Sequence, residues 1–321
     1  MPANRLHARG RMMERKPRIL VIGSINMDLV LQISSLPARG ESKIGEQYQY
    51  SNGGKGANQA VAAALLGADC KFIGKIGKDA NGYRLGEILQ TFGVDTSELT
   101  TDSDLPTGLA VVVVEPDGSN RIMVFPGSNM NLSKEHVVSV VEHESFDALI
   151  IQFEIPQETV IAACQAAMKR GIAVVVDAGP AKPFPLEKIA GMTVLSPNET
   201  ETEALCGIYP DTDEKSLQAA KLLMKKASAK YVVIKRGKHG AYVYGGGLAE
   251  NFDARKVKAV DTTAAGDAFT AALTMRLLET GDIVNAVRYG NCAGALTATR
   301  QGALSTIPSK EAVEQFMLTP D

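Results

Sequence analysis

Short apolar runs rich in β-branched residues recur along the chain, separated by stretches with helical spacing. "RILVIG" from Arg18, "CKFIGKIG" from Cys70, "ALIIQF" from Ala148, "IAVVVDAG" from Ile172, "MTVLSPN" from Met192 and "KYVVIKRG" from Lys230 predict strands. Between them, "GGKGANQAVAAALLG", "DANGYRLGEILQTFG", "SKEHVVSVVEH" and "PQETVIAACQAAMKRG" predict helices. Strands that are apolar throughout, alternating with helices, indicate an α/β fold: a doubly wound, mostly parallel sheet covered on both faces. Gly67, Gly93 and Gly171 stand where helix C-caps are expected. Ser133 and Asp282 stand where N-caps are expected. Toward the C-terminus the rhythm changes. "DTTAAGDAFTAALTMRLLETG" and "DIVNAVRYGNCAGALTATRQG" read as two consecutive helices with no strand between them.

Two other segments break the alternation. One is "DLVLQISSLPARGESKIGEQYQYSN" from Asp28, the other "TGLAVVVVEPDGSNRIMVF" from Thr107. The second places "PDGSN" between two β-rich runs, a hairpin signal. Together the segments predict a small separate sheet built from two insertions, at about residues 28–52 and 107–127. Residues 1–17 are polar and Arg-rich and lack the apolar stretch of a secretory signal. They are expected to be a disordered extension in front of one domain spanning 18–321.

Composition narrows the class further. A chain of 321 residues with 45% hydrophobic content can bury a large core. A net charge of -2 supplies no global basic field for nucleic acid or a membrane surface. No apolar run is long enough to span a bilayer. Cys70, Cys164, Cys206 and Cys292 are scattered, with no C-x-x-C pair, which points to a reduced, cytoplasmic setting. The four histidines show no H-E-x-x-H spacing.

Ligands of an open parallel sheet bind beyond the carboxyl ends of its strands. Those ends carry polar residues here: 24–28 after the first strand, then Glu154, Asp177, Asn198 with Glu199 and Glu201, and residues 235–240. Each alone is ordinary for a loop or a cap; together they predict a site. The common nucleotide fingerprints are missing. Gly23 is followed by Ser24 and Ile25, without the second glycine of G-x-G-x-x-G, and "GGKGANQ" lacks the Walker spacing. Tight helix–sheet packing accounts for residues 60–67 but not for Lys55, Asn58 and Gln59 at the same helix start. Those polar groups suit a polyhydroxylated ligand. In "DTTAAGDAF", Ala264, Ala265 and Gly266 leave the amides of a helix start unobstructed, where the dipole favours an anion. A phosphate or a phosphoryl transition state fits there, with Asp267 accepting a proton from an attacking hydroxyl. An ordinary helix start bearing an aspartate fits the motif equally well.

"GGKGANQAVAAALLGA" and "DTTAAGDAFTAAL" resemble the two signatures of the ribokinase-like sugar kinases, the phosphofructokinase-B family, and the likeness runs over residues 18–308. "GSINMD", "GGKGANQ" and "IQFE" are most similar to its ribose-phosphorylating members. The resemblance implies a small β-sheet lid that also forms a homodimer interface, and ATP-dependent phosphorylation of D-ribose at the 5-hydroxyl. Another small sugar, such as deoxyribose or a ketohexose, is an alternative acceptor; a catalytically silent sugar or nucleotide sensor is the alternative of a different class. By the same resemblance Asp267 is the base, and Ala264, Ala265 and Gly266 serve the transferring phosphoryl group. Asn26, Asp28, Gly54, Lys55, Asn58 and Glu154 hold the sugar. Asn198, Lys235, Gly237, Gly240, Gly266 and Asn291 line the nucleotide. Glu201 helps organise Mg²⁺ through water. Asp261, Thr263, Thr297, Arg300, Gly302 and Thr306 match the positions around a potassium-like ion. The chain departs from the family's usual residues at Lys235 (often Thr), at Asn291 (often His), and in "DAGPA", where Asp177 adds a charge to the usual "NPAPA".

Overall fold

Burial on both faces is the reason the strands read as unbroken apolar runs. The computed structural model describes residues 15–116 and 120–320. In chain order the regular elements are β1 (Arg18–Ile22), β2 (Asn26–Gln32), β3 (Gln47–Gly53), α1 (Lys55–Leu65), β4 (Asp69–Gly77), α2 (Ala80–Thr91), β5 (Leu99–Asp102), β6 (Gly108–Val114), β7 (Asn120–Phe125) and α3 (Lys134–His143). There follow β8 (Ala148–Ile151), α4 (Gln157–Lys169), β9 (Ala173–Asp177), β10 (Val194–Ser196), α5 (Glu199–Cys206), α6 (Asp213–Ala227) and β11 (Tyr231–Lys235). The chain ends with β12 (Ala241–Gly245), β13 (Leu248–Phe252), α7 (Ala265–Thr280), α8 (Ile283–Thr297) and α9 (Lys310–Leu318). Most of the predicted amino-terminal extension, residues 1–14, lies outside the described residues.

The large sheet has nine strands in the order β13-β12-β11-β10-β9-β8-β1-β4-β5. It is parallel from β11 to β5, and β12 and β13 add an antiparallel edge. Side chains alternate across each strand. Ile19 and Val21 of β1 therefore enter a core shared with α1, α7 and α8, while Leu20 and Ile22 enter one shared with α3, α4 and α6. All six predicted strands and the six predicted helices are present, and α7 runs into α8 without an intervening strand. Ser133 and Asp282 cap α3 and α8, accepting from the N–H groups of His136 and Val284 at 3.2 and 2.9 Å. Strands β5, β12 and β13 were not anticipated. The β12–β13 hairpin carries an alternating signal in "AYVYG", followed by two more glycines.

The two insertions form a second sheet in the order β3-β2-β6-β7. It is mixed: β2 pairs antiparallel with β3 and β6 antiparallel with β7, but β2 and β6 run parallel. The predicted hairpin is thus β6–β7; its turn residues Asp117, Gly118 and Ser119 lie outside the described residues. Only residues 23–25 separate β1 from β2, so the small sheet springs directly from the carboxyl edge of the large one.

At that edge α1 lies against the backbone just after β1. A Cβ on Gly56 would come within 2.7–2.8 Å of Gly23 and Ser24 backbone atoms, so only glycine permits the approach. Gly56→Ala is expected to lower stability by about 1–3 kcal/mol, because the obstacle is backbone and cannot move aside. Gly86→Ala, whose nearest contact is the movable tip of Leu99 at 3.2 Å, should cost less. Urea unfolding of the two variants checks the order.

Candidate active site

Helix α7 begins with an unusual turn. Ala264 precedes it with φ 61° and ψ 0°, the left-handed region that a residue with a Cβ seldom occupies. The Ala265 N–H bonds back to the Thr262 carbonyl at 3.2 Å, and the Ala268 N–H closes the first helical bond, to Ala264, at 2.9 Å. The amides of Gly266 and Asp267 fall between them, among the helix-start donors that have no acceptor within the helix. They line a cavity of about 580 Å³ whose wall also includes Lys55, Asn198, Lys235, Gly237, Gly240 and Asn291. The structure thus gathers every residue expected to contact a nucleotide.

Asp267 is 5% exposed and faces the start of α1. Its carboxylate accepts from Asn58 Nδ2 at 2.8 Å and from Gln59 Nε2 at 3.1 Å. Burial pushes its pKa up to about 6; Lys55 pulls the other way, and the charge of Asp177 adds to the rise. Asp177, at the end of β9, has no exposed surface. It accepts from Lys235 Nζ at 2.6 Å, Thr270 Oγ1 at 2.9 Å and Gln59 Nε2 at 3.2 Å. Burial opposes its charge, but Lys235 and Lys55 hold the carboxyl below its ordinary range. Two of the three departures from the family's usual residues, Asp177 and Lys235, are each other's partners.

Lys55 Nζ stands 3.9 Å from Asp177, 3.8 Å from Glu201 and 4.0 Å from Asp267. Desolvation works against its charge, and these carboxylates more than offset it, raising the ammonium above its ordinary value. Glu201 and Asn198 form a capping box at α5: each backbone N–H donates to the other's side chain at 2.8 Å. Burial, followed by the charge of Asp177, raises the Glu201 pKa.

The residues expected to hold a sugar meet where β1 gives way to the small sheet. Asn26 Oδ1 accepts from Asn129 Nδ2 at 2.8 Å, and Asn129 Oδ1 accepts from the Ile25 N–H at 3.0 Å. Glu154 accepts from the Ser24 hydroxyl. Burial, then the Glu154 charge, pushes Asp28 up to about 7. Gly54 has φ 93°, and a Cβ there would meet Ile25 Cα at 2.7 Å. Asn58 Oδ1 is buried with no partner among the described residues, so one acceptor stays free beside Asp267.

Of the expected cation residues, Asp261 is held by Thr263, through its N–H at 2.9 Å and its hydroxyl at 2.7 Å, and by the Gly302 N–H at 3.0 Å. Burial opposes its charge, but these bonds hold the carboxyl below its ordinary range. Thr297 and Thr306 spend their hydroxyls on the carbonyls of Ala293 and Ala303, at 2.9 and 2.7 Å. The Arg300 N–H reaches the Thr297 carbonyl at 3.5 Å. Asn291 gives its amide protons to the carbonyls of Phe252 and Asp253, both at 3.0 Å, and so braces the strand end that borders the cavity. Sequence reasoning missed Thr270, Asn129 and Gln152. Thr270 and Gln152 lie within the segments "DTTAAGDAFTAAL" and "IQFE" but were given no role there, and Asn129 stands in no motif.

Residues 16–310 match the family model of the pfkB family carbohydrate kinases. The ribokinase of Haemophilus influenzae is 36% identical over 301 residues, covering 93% of this chain and 98% of that protein. The solved structure of Arabidopsis thaliana ribokinase complexed with ribose and ATP superposes with a TM-score of 0.86 at 32% identity, covering 95% of this chain and all of that one. That of the Thermotoga maritima ribokinase gives 0.84 at 36% identity, covering 94% and 99%. With both signature segments at the cavity and the match running nearly end to end, the chain belongs to the pfkB family of carbohydrate kinases.

Proposed function

We propose that the protein transfers the γ-phosphoryl group of ATP to the 5-hydroxyl of D-ribose, giving D-ribose 5-phosphate and ADP. The observation that carries this reading is the buried Asp267 in the first turn of α7, next to two helix-start amides at the edge of a nucleotide-sized cavity. Phosphoryl transfer asks a protein mainly for positioning and charge neutralisation. Asp267 takes the proton of the attacking hydroxyl as the oxygen bonds to phosphorus and the bond to the departing ADP oxygen breaks. In the turn of Ala264, Ala265 and Gly266 the Ala265 N–H is spent on the Thr262 carbonyl, so the amides of Gly266 and Asp267, with Lys55 and Lys235, face the charge that spreads over the phosphoryl oxygens. Asn26, Asp28, Gly54, Lys55, Asn58 and Glu154 hold the sugar. Carboxylates and amides suit paired hydroxyls, and the free Asn58 Oδ1 offers an acceptor.

Asn198, Gly237, Gly240 and Asn291 flank the nucleotide in this reading. Glu201, buried 3.8 Å from the Lys55 ammonium, fits a role in holding Mg²⁺ through water, and that ion would supply charge neutralisation on the phosphates. Asp261, kept ionised by Thr263 and Gly302, fits a potassium-like ion, with carbonyls of Thr297, Arg300 and Thr306 as further donors. The small sheet acts as a lid over the sugar. Its exposed Tyr48, Tyr50, Ile122 and Phe125 support a homodimer formed through that sheet. Four free cysteines fit a cytoplasmic setting, and no helix among the described residues is long and apolar enough to cross a membrane.

Three outcomes test the reading. Asp267→Asn should cut turnover by about 10²–10⁴-fold while calorimetry still registers ribose binding; near-normal turnover removes Asp267 from the role of base. An acid that must be ionised to act loses activity as pH falls through its pKa. kcat/KM for ribose, which reports the free enzyme, should therefore decline below a pH of about 6, and a profile flat to pH 5 contradicts the assignment. In a coupled assay of ADP release over ribose, deoxyribose and ketohexoses, ribose should be turned over fastest. A different preferred sugar reassigns the substrate, and ribose binding without ADP release turns the protein into a sensor.

A further inference from the structure

We propose that Asp177 is a positioning residue that fixes the Lys235 ammonium at the phosphate end of the cavity, so that the two side chains act as one unit in nucleotide binding. The inference rests on the kinase reading for the identity of the ligand, and on geometry for the rest. Asp177 and Lys235 end β9 and β11, the two neighbours of β10, and meet across it at 2.6 Å. Asp177 is wholly enclosed, whereas Lys235 is 8% exposed and lines the cavity. The ammonium also lies beside the first turn of α7, since a Cβ on Gly266 would stand 3.8 Å from Lys235 Nζ.

The pair adds no net charge, but its direction matters. The positive end looks into the cavity and the negative end lies behind it. An ammonium has three donors, and Asp177 takes one of them. Asp177 in turn is pinned by Thr270 from α7 and by Gln59 from α1. The charge thus has a fixed seat tied to four elements. A buried ion pair is weak evidence for stability, because apolar residues of similar volume often serve as well. Its place on the cavity wall points instead to the ligand: the phosphates of a nucleotide, not its base or ribose.

The test measures ATP and adenosine affinity by calorimetry in the unaltered protein, Lys235→Met, Asp177→Asn and the double variant. Losing one charge-assisted contact to phosphate should weaken ATP at least tenfold in Lys235→Met, with adenosine within twofold. Adding Asp177→Asn to Lys235→Met removes the buried carboxylate left without its nearest cation behind the phosphate end and should restore at least threefold. ATP affinity unchanged in Lys235→Met, equal losses for ATP and adenosine, or a double variant no tighter than Lys235→Met would overturn the proposal. Should Lys235→Met not fold, the double variant must bind ATP at least tenfold more weakly than Asp177→Asn, and equality overturns it. Ribose-dependent ADP release by the unaltered protein is scored separately. Its absence removes the kinase reading while the affinity comparison still decides the role of the pair, and absence of any ATP binding overturns both.

Discussion

Two carboxylates, Asp177 and Asp267, lie out of water within reach of the same glutamine side chain, and most of the site is arranged around keeping both charged. Burial favours their neutral forms, and each disfavours ionisation of the other. The structure answers with Lys235 on one, Asn58 on the other, and Lys55 and Gln59 between them. The outcome is unequal. Asp177 has the closer cation and is held firmly ionised, while Asp267 is left with a raised proton affinity. Environments that push two like groups apart in this way suit them to different roles: one to anchoring charge, the other to exchanging a proton.

That arrangement depends on the architecture. A parallel sheet brings the ends of β1, β8, β9, β10 and β11 to one edge, and α1 and α7 pack together over it, although Asn58 and Asp267 are 209 residues apart in sequence. The contact of Gly56 with the backbone after β1 sets how low α1 sits and therefore where Asn58 and Gln59 point. The small sheet emerges from the same edge, so a ligand held there lies between two layers that are continuous with the strands beneath.

Much of this was legible in the sequence. Unbroken apolar runs such as "ALIIQF" mark strands buried on both faces, and the turn residues around them mark the edge that carries chemistry. The bare turn before Asp267 was readable either as an anion site or as an ordinary helix start, and the structure puts a cavity against it. The left-handed backbone at Ala264 was not readable, because alanine carries no signal for positive φ; the surrounding contacts impose it. Nor could the sequence join Asp177 to Lys235, 58 residues apart, since the meeting depends on strand order. Strands β12 and β13 escaped because three adjacent glycines look like a loop until their hairpin is seen extending the sheet.

The glutamine between the carboxylates has a consequence for where protons can go. Gln59 reaches both acids through one nitrogen and takes its own support from Gln152 Nε2 at 2.5 Å. An amide N–H bridges charge but does not give up its hydrogen near neutral pH. Gln59 therefore insulates as well as connects: a proton captured by Asp267 is not handed inward to Asp177 along this route. If Asp267 serves as the base, its resetting needs a path other than this glutamine, and the cavity that Asp267 lines offers one.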